Sequence, residues 1–224
     1  MLHFDSKRLL LLRYTLWLPV YLIVYWLLEH FITKNYWSTG LAVDRLIPFC
    51  EYFVIPYALW FPYLLAVGLF LLYREPDSFR RYMRFLACGF LLSELIWFLV
   101  PNGQDLRPVA FARDNFFTHA VAFLYRIDTP TNVFPSDHVV GAMGATWALL
   151  QSEIMKNRKL LRLTAVLFFA LVCAATLLTK QHSVLDVVGG LGLSAVVGTV
   201  VYRKNLALRM AESRQKLREF LQDA

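Results

Sequence analysis

The sequence is poor in charged residues, and this scarcity sets its broad class. Asp, Glu, Lys and Arg make up 17% of the 224 residues, whereas hydrophobic residues make up 58%. An average soluble domain has about 25% charged and about 45–50% apolar residues. The composition therefore excludes a disordered chain and a basic nucleic-acid-binding arm, and it disfavours an ordinary soluble domain.

Cysteine is also scarce, and its placement excludes the sites that depend on it. The three cysteines, Cys50, Cys88 and Cys173, match neither a zinc-site spacing nor a disulfide framework. The chain also has no H-x-x-x-H pair and no G-x-S-x-G sequence. We therefore expect the cysteines to be packing residues.

Long apolar runs are abundant, and they predict an all-α, polytopic membrane protein. Runs of about 20 apolar residues suit helices that cross a bilayer. We predict a six-transmembrane-helix bundle with spans at Tyr14–Ile32, Tyr52–Tyr73, Phe85–Val100, Val139–Gln151, Leu161–Leu178 and Val184–Tyr202. These spans form one membrane domain, residues 1–202, and a basic tail follows at 203–224.

Basic residues are divided unevenly between the two sides of these spans. Of the 23 Lys and Arg residues, 17 fall on the side that holds the N-terminus and the tail. Because cytoplasmic loops are enriched in Lys and Arg, both termini are predicted to be cytoplasmic. The tail is predicted to be an amphipathic helix on the inner membrane surface, or alternatively a solvated helix. The connections 33–51, 101–138 and 179–183 then face outward.

Three polar clusters lie at the outward ends of the predicted helices. They occupy residues 101–108 after the third span, 135–138 before the fourth, and 179–186 before the sixth. The second cluster ends the longest connection, and long loops are often functional. Since all three clusters fall at the same membrane depth, we expect a single site at the outer interface.

Two histidines in these clusters have the surroundings of catalytic groups. His182 and Asp186 are four residues apart, so on a helix the carboxylate can orient the imidazole as a nucleophile or base. His138 follows Ser136, a candidate N-cap, at a helix start that suits phosphate. There His138 could give a proton to a leaving oxygen. The alternatives are a helix-start pair that only satisfies polar groups, and a surface histidine.

Two cations accompany the histidines. Arg107 offers a planar, permanently charged donor for a phosphate oxygen, and Lys180 adds a second charge beside His182. Contact with lipid headgroups is the alternative for each cation taken alone. The convergence of cations and histidines favours a site for a phosphate.

Two competing chemistries use the same residues. His138, His182 and Asp186 are permissible zinc ligands, although the nearby cations would repel a metal ion. Ser136 could serve a Ser–His–Asp hydrolase, but no nucleophile-elbow sequence surrounds it. The sequence therefore predicts no metal site and disfavours an ester hydrolase.

Small residues follow both histidines along their helices. Such residues let membrane helices approach closely, which would bring His138 and His182 together. General helix packing is an equally good explanation. The residues are Gly141, Ala142, Gly144 and Ala145 in the fourth span, and Gly189, Gly190 and Gly192 in the sixth.

Glu94 is an ionisable residue inside the third predicted span. It lies about six residues, or ~9 Å, below the outer end of that span. Intramembrane carboxyls are costly and often functional, so Glu94 is a candidate accessory residue. A satisfied hydrogen bond between helices is the alternative.

Together these clusters resemble the type 2 phosphatidic acid phosphatase superfamily. Its motifs are K-x6-R-P, P-S-G-H and S-R-x5-H-x3-D. The matches here are Arg107-Pro108, Pro135-Ser136-x-His138 and His182-x3-Asp186. The order of the motifs, the six spans and the outward site also fit this superfamily.

The resemblance implies a mechanism that needs no metal and no other cofactor. His182, oriented by Asp186, would attack phosphorus and form a phosphohistidine. His138 would protonate the leaving alcohol. Arg107 and Ser136 would hold phosphate oxygens.

The sequence departs from the motifs at three places. Val100 replaces the first-motif Lys, Ala175-Thr176 replaces Ser-Arg, and Asp137 replaces Gly. Two phosphate-binding cations are therefore missing, and Lys180 is a candidate replacement for one of them. Asp137 is a second accessory candidate, and its charge would oppose a phosphate.

The resemblance implies a membrane phosphatase, with two alternatives. The leading prediction is hydrolysis of a lipid phosphate, such as phosphatidate or an isoprenyl pyrophosphate, on the extracytoplasmic side of the cell membrane. The local sequences Lys180-Gln181-His182 and Ile55-Pro56-Tyr57 are similar to the inositol-phosphotransferase branch and to sphingomyelin synthases. Transfer of a phospho-headgroup is therefore the first alternative, and a non-catalytic lipid-binding protein is the second. The expected partners are a lipid substrate and the bilayer, and the oligomeric state is left open.

Overall fold

The architecture is a helical bundle with a small strand pair at one end. The computed structural model describes residues 9–32 and 34–222, with side chains through Arg203. Two two-residue strands, β1 (Trp37–Ser38) and β2 (Asn102–Gly103), pair in parallel. The α-helices of these residues are α1 (Trp17–Phe31), α2 (Val54–Arg74), α3 (Pro76–Leu99), α4 (Phe116–Ile127), α5 (Asp137–Gln151), α6 (Lys159–Leu178) and α7 (Val184–Gln222). Short 3-10 turns occupy Leu10–Thr15, Ala42–Arg45 and Glu51–Phe53.

Five helical segments are long and apolar enough to cross a membrane. They match the first, second, third, fifth and sixth predicted spans, which confirms the all-helical prediction for these five. The segments are Leu10–Phe31, Glu51–Arg74, Pro76–Leu99, Lys159–Leu178 and Val184–Arg203.

The fourth predicted span, Val139–Gln151, coincides with α5, which is shorter. Its 15 residues give a helix of about 22 Å, against a hydrocarbon core of about 30 Å. α5 packs against α2, α3, α6 and α7, and most of its residues are buried. An enclosed helix does not need to match the bilayer in length, because its neighbours form the lipid-facing surface. A sixth crossing and the cytoplasmic position of both termini stay predictions.

Two helix boundaries differ from the sequence prediction. α3 begins at Pro76, nine residues before the predicted start at Phe85, because proline suits the first helical position. Arg80, Arg81 and Arg84 therefore lie on the helix and not in a loop. The predicted tail at 203–224 is largely a continuation of α7, and the side chains after Arg203 lie outside the described part of the chain.

Glycines allow α5 to approach its neighbours closely. A Cβ atom on Gly190 of α7 would lie 2.8 Å from Val139 Cβ and 2.9 Å from the Ser136 carbonyl oxygen. A Cβ atom on Gly141 would lie 2.6 Å from Trp60 Cζ2. The close approach predicted from the small residues is therefore present, and it brings the starts of α5 and α7 together.

The long connection 101–138 contains a helix that the sequence analysis did not predict. α4 begins after Asn115, whose side-chain oxygen accepts hydrogen bonds from the backbone N–H groups of Phe117 and Thr118, at 2.9 and 3.0 Å. This is ordinary N-capping. The helix ends at Ile127, immediately before a polar segment that reaches the candidate site.

Candidate active site

A cavity of about 280 Å³ lies at the end of the bundle where α5 and α7 begin. It contains both predicted catalytic histidines, His138 and His182. Aromatic side chains of α1, α2 and α3 form one wall, and the segment 128–133 forms another. We call this space the histidine cavity. Its volume is near the lower end of ordinary ligand sites, about 300 Å³.

The two histidines, 44 positions apart in the sequence, are neighbours in the cavity. Their ring centroids are 5.6 Å apart. His138 also packs between Tyr57 and Trp60, with centroid distances of 4.2 and 4.5 Å. The aromatic contacts hold the imidazole of His138 beside that of His182, with the two ring planes inclined at 60°.

The orientation of His182 is set mainly by a backbone carbonyl. Its Nδ1 lies 3.1 Å from the carbonyl oxygen of Val133, which can only accept. Nδ1 therefore carries the hydrogen in the neutral ring, and Nε2 carries the lone pair.

Asp186 is close to His182 but has a nearer partner. Asp186 Oδ2 lies 3.6 Å from His182 Nδ1 and accepts the backbone N–H of Ser183 at 2.6 Å. The Ser183 hydroxyl in turn accepts the backbone N–H of Asp186 at 3.2 Å. Asp186 and Ser183 thus cap the N-terminus of α7, and Asp186 supplies a negative charge next to His182. The hydrogen bond that was expected between His182 and this carboxylate is instead accepted by the carbonyl of Val133.

Asn102 is a positioning residue that sequence reasoning missed. Its Oδ1 accepts the backbone N–H groups of Val133 and Phe134 at 2.9 and 2.7 Å. Its Nδ2 donates to the carbonyls of Val100 and Phe134. Asn102 is fully buried and fixes the extended segment that presents the Val133 carbonyl to His182. Its position in the first polar cluster was the available signal.

Ser136 occupies the predicted N-cap position of α5 without making a capping bond. Its backbone N–H donates to the carbonyl of Asp186 at 3.1 Å, which ties the starts of α5 and α7 together. Its hydroxyl is buried and has no hydrogen-bond partner among the described residues. Ser136 is not one of the cavity-lining residues.

The structure does not bring Arg107 into the cavity. Its guanidinium donates to the carbonyls of Tyr125, Asp128 and Thr129 at 2.8–3.2 Å and stacks over the Tyr125 ring. Burial lowers the pKa of Arg107, although a guanidinium stays charged in proteins. Arg107 thus satisfies the carbonyl groups at the C-terminus of α4, a position that favours a cation.

Lys180 also points away from the cavity. Its ammonium donates to the carbonyl of Asp44 at 2.8 Å and to that of Ile47. Burial lowers the pKa of Lys180. The replacement of a motif cation by Lys180 has no support in this geometry, because the donors are used by the connection 33–51.

The two accessory candidates lie near each other. Asp137 lines the cavity, and its Oδ2 accepts the hydroxyl of Tyr21 at 3.0 Å. Glu94 is buried on α3 and interacts electrostatically with Asp137, but it does not line the cavity. The two carboxyl groups therefore lie close enough to interact with each other.

Asp128 is a cavity residue that the sequence analysis did not identify. Its carboxylate accepts the hydroxyls of Tyr25 and Tyr57 at 3.1 and 3.0 Å, and Gln181 Nε2 at 2.9 Å. These partners come from α1, α2 and the segment before α7. The groups that donate to Asp128 lie in three segments that are distant from one another in the sequence. No local sequence pattern therefore indicates its role in the cavity.

The titratable side chains of the described cavity lining, apart from its tyrosines, are two histidines and two aspartates. Among the residues described, no Lys or Arg lines it, whereas Asp128 and Asp137 do. Within the same residues, no group of three or more His, Cys, Asp or Glu side chains is placed to hold a metal ion. The lining offers two imidazoles, two carboxyls, two amides, and the hydroxyl and indole groups of Tyr, Thr and Trp side chains.

Comparison with known proteins identifies the family. A family model described as the PAP2 superfamily matches residues 36–200, which include all three motif regions and the histidine cavity's polar segments. No curated protein and no solved structure matches the chain. With well over half of its length matched, the chain belongs to the PAP2 superfamily, the type 2 phosphatidic acid phosphatase superfamily.

Proposed function

We propose that the protein is an integral membrane enzyme that hydrolyses a lipid phosphate through a phosphohistidine on His182. The observation that carries the proposal is the pair of neighbouring imidazoles, His138 and His182, in one cavity. Family membership and five membrane-length apolar helices support it. In this proposal the site faces the extracytoplasmic side of the cell membrane, as the distribution of Lys and Arg favours.

The first chemical step transfers the phosphoryl group to His182. The lone pair of His182 Nε2 attacks phosphorus, and the bond from phosphorus to the leaving oxygen breaks. The Val133 carbonyl and the nearby charge of Asp186 stabilise the positive imidazole ring that forms. His138 gives its proton to the leaving alcohol.

The second step returns the enzyme to its starting state. A water molecule attacks phosphorus, the bond from His182 Nε2 to phosphorus breaks, and inorganic phosphate leaves. His138, now neutral, accepts the proton from that water. In this step His182 is the leaving group and His138 is the base, so each imidazole reverses the role it had in the first step.

The cavity's opening supports a lipid as the substrate. Three of its lining residues, Leu22, Phe61 and Ile127, are also 59–62% exposed on the outer surface of α1, α2 and α4. Apolar side chains at an opening between membrane-length helices provide a path for acyl chains. A lipid can therefore place its phosphate at the histidines while its chains stay in the bilayer.

The test is phosphate release by the purified protein in the presence of EDTA. The substrates are phosphatidate, phosphatidylglycerol phosphate and an isoprenyl pyrophosphate, and the variants are His182→Ala and His119→Ala. His119 is an exposed histidine on α4, paired with Asp114, and serves as the matched control. We expect release that survives EDTA, is lost in His182→Ala and is kept in His119→Ala. No phosphate release from any substrate would contradict hydrolysis and would favour headgroup transfer. Absence of all turnover, with lipid binding intact, would favour the non-catalytic alternative.

Headgroup transfer is the second candidate, favoured by one specific observation. A phosphomonoester carries more negative charge than a phosphodiester, and no Lys or Arg of the described chain lines the acidic cavity. A diester with a headgroup attached would meet less repulsion from Asp128. Product analysis with and without diacylglycerol, ceramide or inositol distinguishes transfer to an acceptor from hydrolysis.

A further inference from the structure

Beyond the two histidines, the lining of the histidine cavity has buried polar atoms of both kinds without a partner among the described residues: the indole N–H donors of Trp60 and Trp97, and three side-chain oxygens. Gln181, Asn132 and Asp137 each have one side-chain oxygen that is buried and has no partner in the described part of the chain. All three residues line the cavity and are 2–6% exposed. Buried polar atoms are nearly always hydrogen-bonded in native proteins, so these oxygens indicate a missing donor.

The amide orientation of Gln181 is determined by its neighbour. Its Nε2 lies 2.9 Å from Asp128 Oδ2, and a carboxylate oxygen can only accept. The unpartnered atom is therefore the carbonyl oxygen Oε1. Asp128 also accepts two tyrosine hydroxyls. Because a carboxylate has no hydrogen to donate, Asp128 is not a partner for that oxygen.

The amide orientation of Asn132, which lies in the segment 128–133, is determined in the same way. Its Nδ2 donates to Glu29 Oε1 at 2.8 Å, so its unpartnered atom is the acceptor Oδ1. Glu29 Oε2 accepts the backbone N–H and the hydroxyl of Thr129, which fixes the carboxylate. Two carboxylates, Glu29 and Asp128, thus take the amide N–H groups and leave two amide oxygens of the cavity lining as unpartnered acceptors.

A phosphate group does not satisfy the unpartnered oxygens of Gln181 and Asn132, because phosphate oxygens are acceptors as well. A group that donates hydrogen bonds is required next to the phosphate. The carboxylate of Asp128 adds negative charge, which favours a cationic group over a neutral one. A quaternary ammonium has the charge but no N–H, whereas a primary ammonium has both.

We propose that the histidine cavity contains a subsite, built by Gln181, Asn132 and Asp128, that recognises a primary ammonium headgroup. The substrate class is then a phosphodiester lipid of the ethanolamine type. The inference rests on the second candidate of the proposed function, headgroup transfer, since the headgroup subsite adjoins the phosphate that His182 attacks. The hydroxyls of Tyr25 and Tyr57 donate to Asp128 and fix the position of its carboxylate in the subsite.

The test removes donors from the ligand one at a time. His182→Ala protein, which cannot form the phosphohistidine, is titrated with phosphatidylethanolamine, its N-monomethyl and N-dimethyl forms, and phosphatidylcholine, all with the same acyl chains. Binding is measured by the shift in the thermal unfolding midpoint. We expect the affinity to fall with each methyl group, by about tenfold over the series, which corresponds to about 1.4 kcal/mol.

Two variants show whether the preference comes from this subsite. Gln181→Leu, in the His182→Ala background, is expected to flatten the series. Gln151→Leu is the matched control, because Gln151 is a buried amide with an unpartnered Oε1 at the far end of α5, outside the cavity. It is expected to keep the full preference.

Several outcomes overturn the inference. These are a flat series, equal preference in Gln181→Leu, or an inositol or glycerol headgroup that binds as tightly as ethanolamine. Turnover that depends on His182 together with a flat series contradicts only the headgroup subsite. A stepwise series in a protein that turns over no lipid contradicts only the proposed function.

Discussion

At the scale of single residues, the account depends on which nitrogen of His182 faces the substrate. The carbonyl of Val133 accepts from Nδ1 at 3.1 Å, and this leaves Nε2 as the nucleophile. Val133 is itself held by Asn102, through a hydrogen bond from its backbone N–H. Asn102 never touches the substrate in this account, and it acts through the orientation of His182.

Replacing Asn102 tests this indirect role. Asn102→Leu removes the acceptor for the N–H groups of Val133 and Phe134, so we expect kcat to fall about 10- to 100-fold with little change in KM. Asn102→Asp keeps that acceptor and is expected to retain more activity. The measurement is kcat and KM on the substrate that the wild-type protein hydrolyses. A rise in KM alone would show that Asn102 contacts the substrate.

Arg107 provides a second test at this scale, between a structural and a phosphate-binding role. Its donors satisfy three carbonyls around the end of α4, so Arg107→Met is expected to lower the thermal midpoint. A loss of 1 kcal/mol corresponds to about 2–4 °C in a chain of this size. A raised KM with an unchanged midpoint would instead support the phosphate-binding role implied by the family motif.

At the scale of helices, α5 is the element that organises the site. Ser136 is its N-cap residue, and Asp137 and His138 lie in its first turn. Four other helices enclose α5. Its contact with α7 depends on Gly190, where no side chain fits. The distance between the two histidines therefore depends on how closely these helices approach.

Two glycines of α7 form a matched pair for testing this contact. Gly190→Val would place its Cβ 2.8 Å from Val139 Cβ, so we expect a loss of about 1–3 kcal/mol in stability and a loss of activity. Gly192→Val has nothing within 4 Å of its Cβ and is expected to leave both unchanged. The measurements are thermal unfolding and phosphate release. Equal behaviour of the two variants would contradict the close contact between α5 and α7.

At the scale of the whole molecule, the prediction that remains is the direction of the chain in the membrane. A protein without its native cysteines, carrying either Val109→Cys or Glu153→Cys, can be labelled in intact cells with a maleimide that does not cross membranes. Val109 is fully exposed in the connection 101–138, and Glu153 lies between α5 and α6. We expect labelling at position 109 only. Labelling at position 153 only would reverse the orientation.

Much of the fold was predictable from the sequence because it is written in local patterns. Five spans follow from apolar length, and His138 and His182 follow from polar residues at matching helix ends. The start of α3 was misplaced because Arg80 and Arg81 resemble loop residues. α5 matches its predicted position but is too short to count as a span by itself.

The site's hydrogen-bond partners were less predictable, for a physical reason. A sequence shows that Arg107 and Lys180 are cations, but it does not show the carbonyl groups that their folded positions leave unsatisfied. Asp128 and Asn102 gain their roles from partners in distant segments. Such roles arise only when the helices assemble.

The most direct test of the central claim is detection of the phosphoryl group on His182 during turnover. The protein would be mixed with a lipid substrate labelled in its phosphate, quenched at alkaline pH, where phosphohistidine survives, and mapped by mass spectrometry. The account predicts label on the peptide that contains His182, and none in His182→Ala. Turnover with no labelled peptide, or with label on another residue, would contradict it.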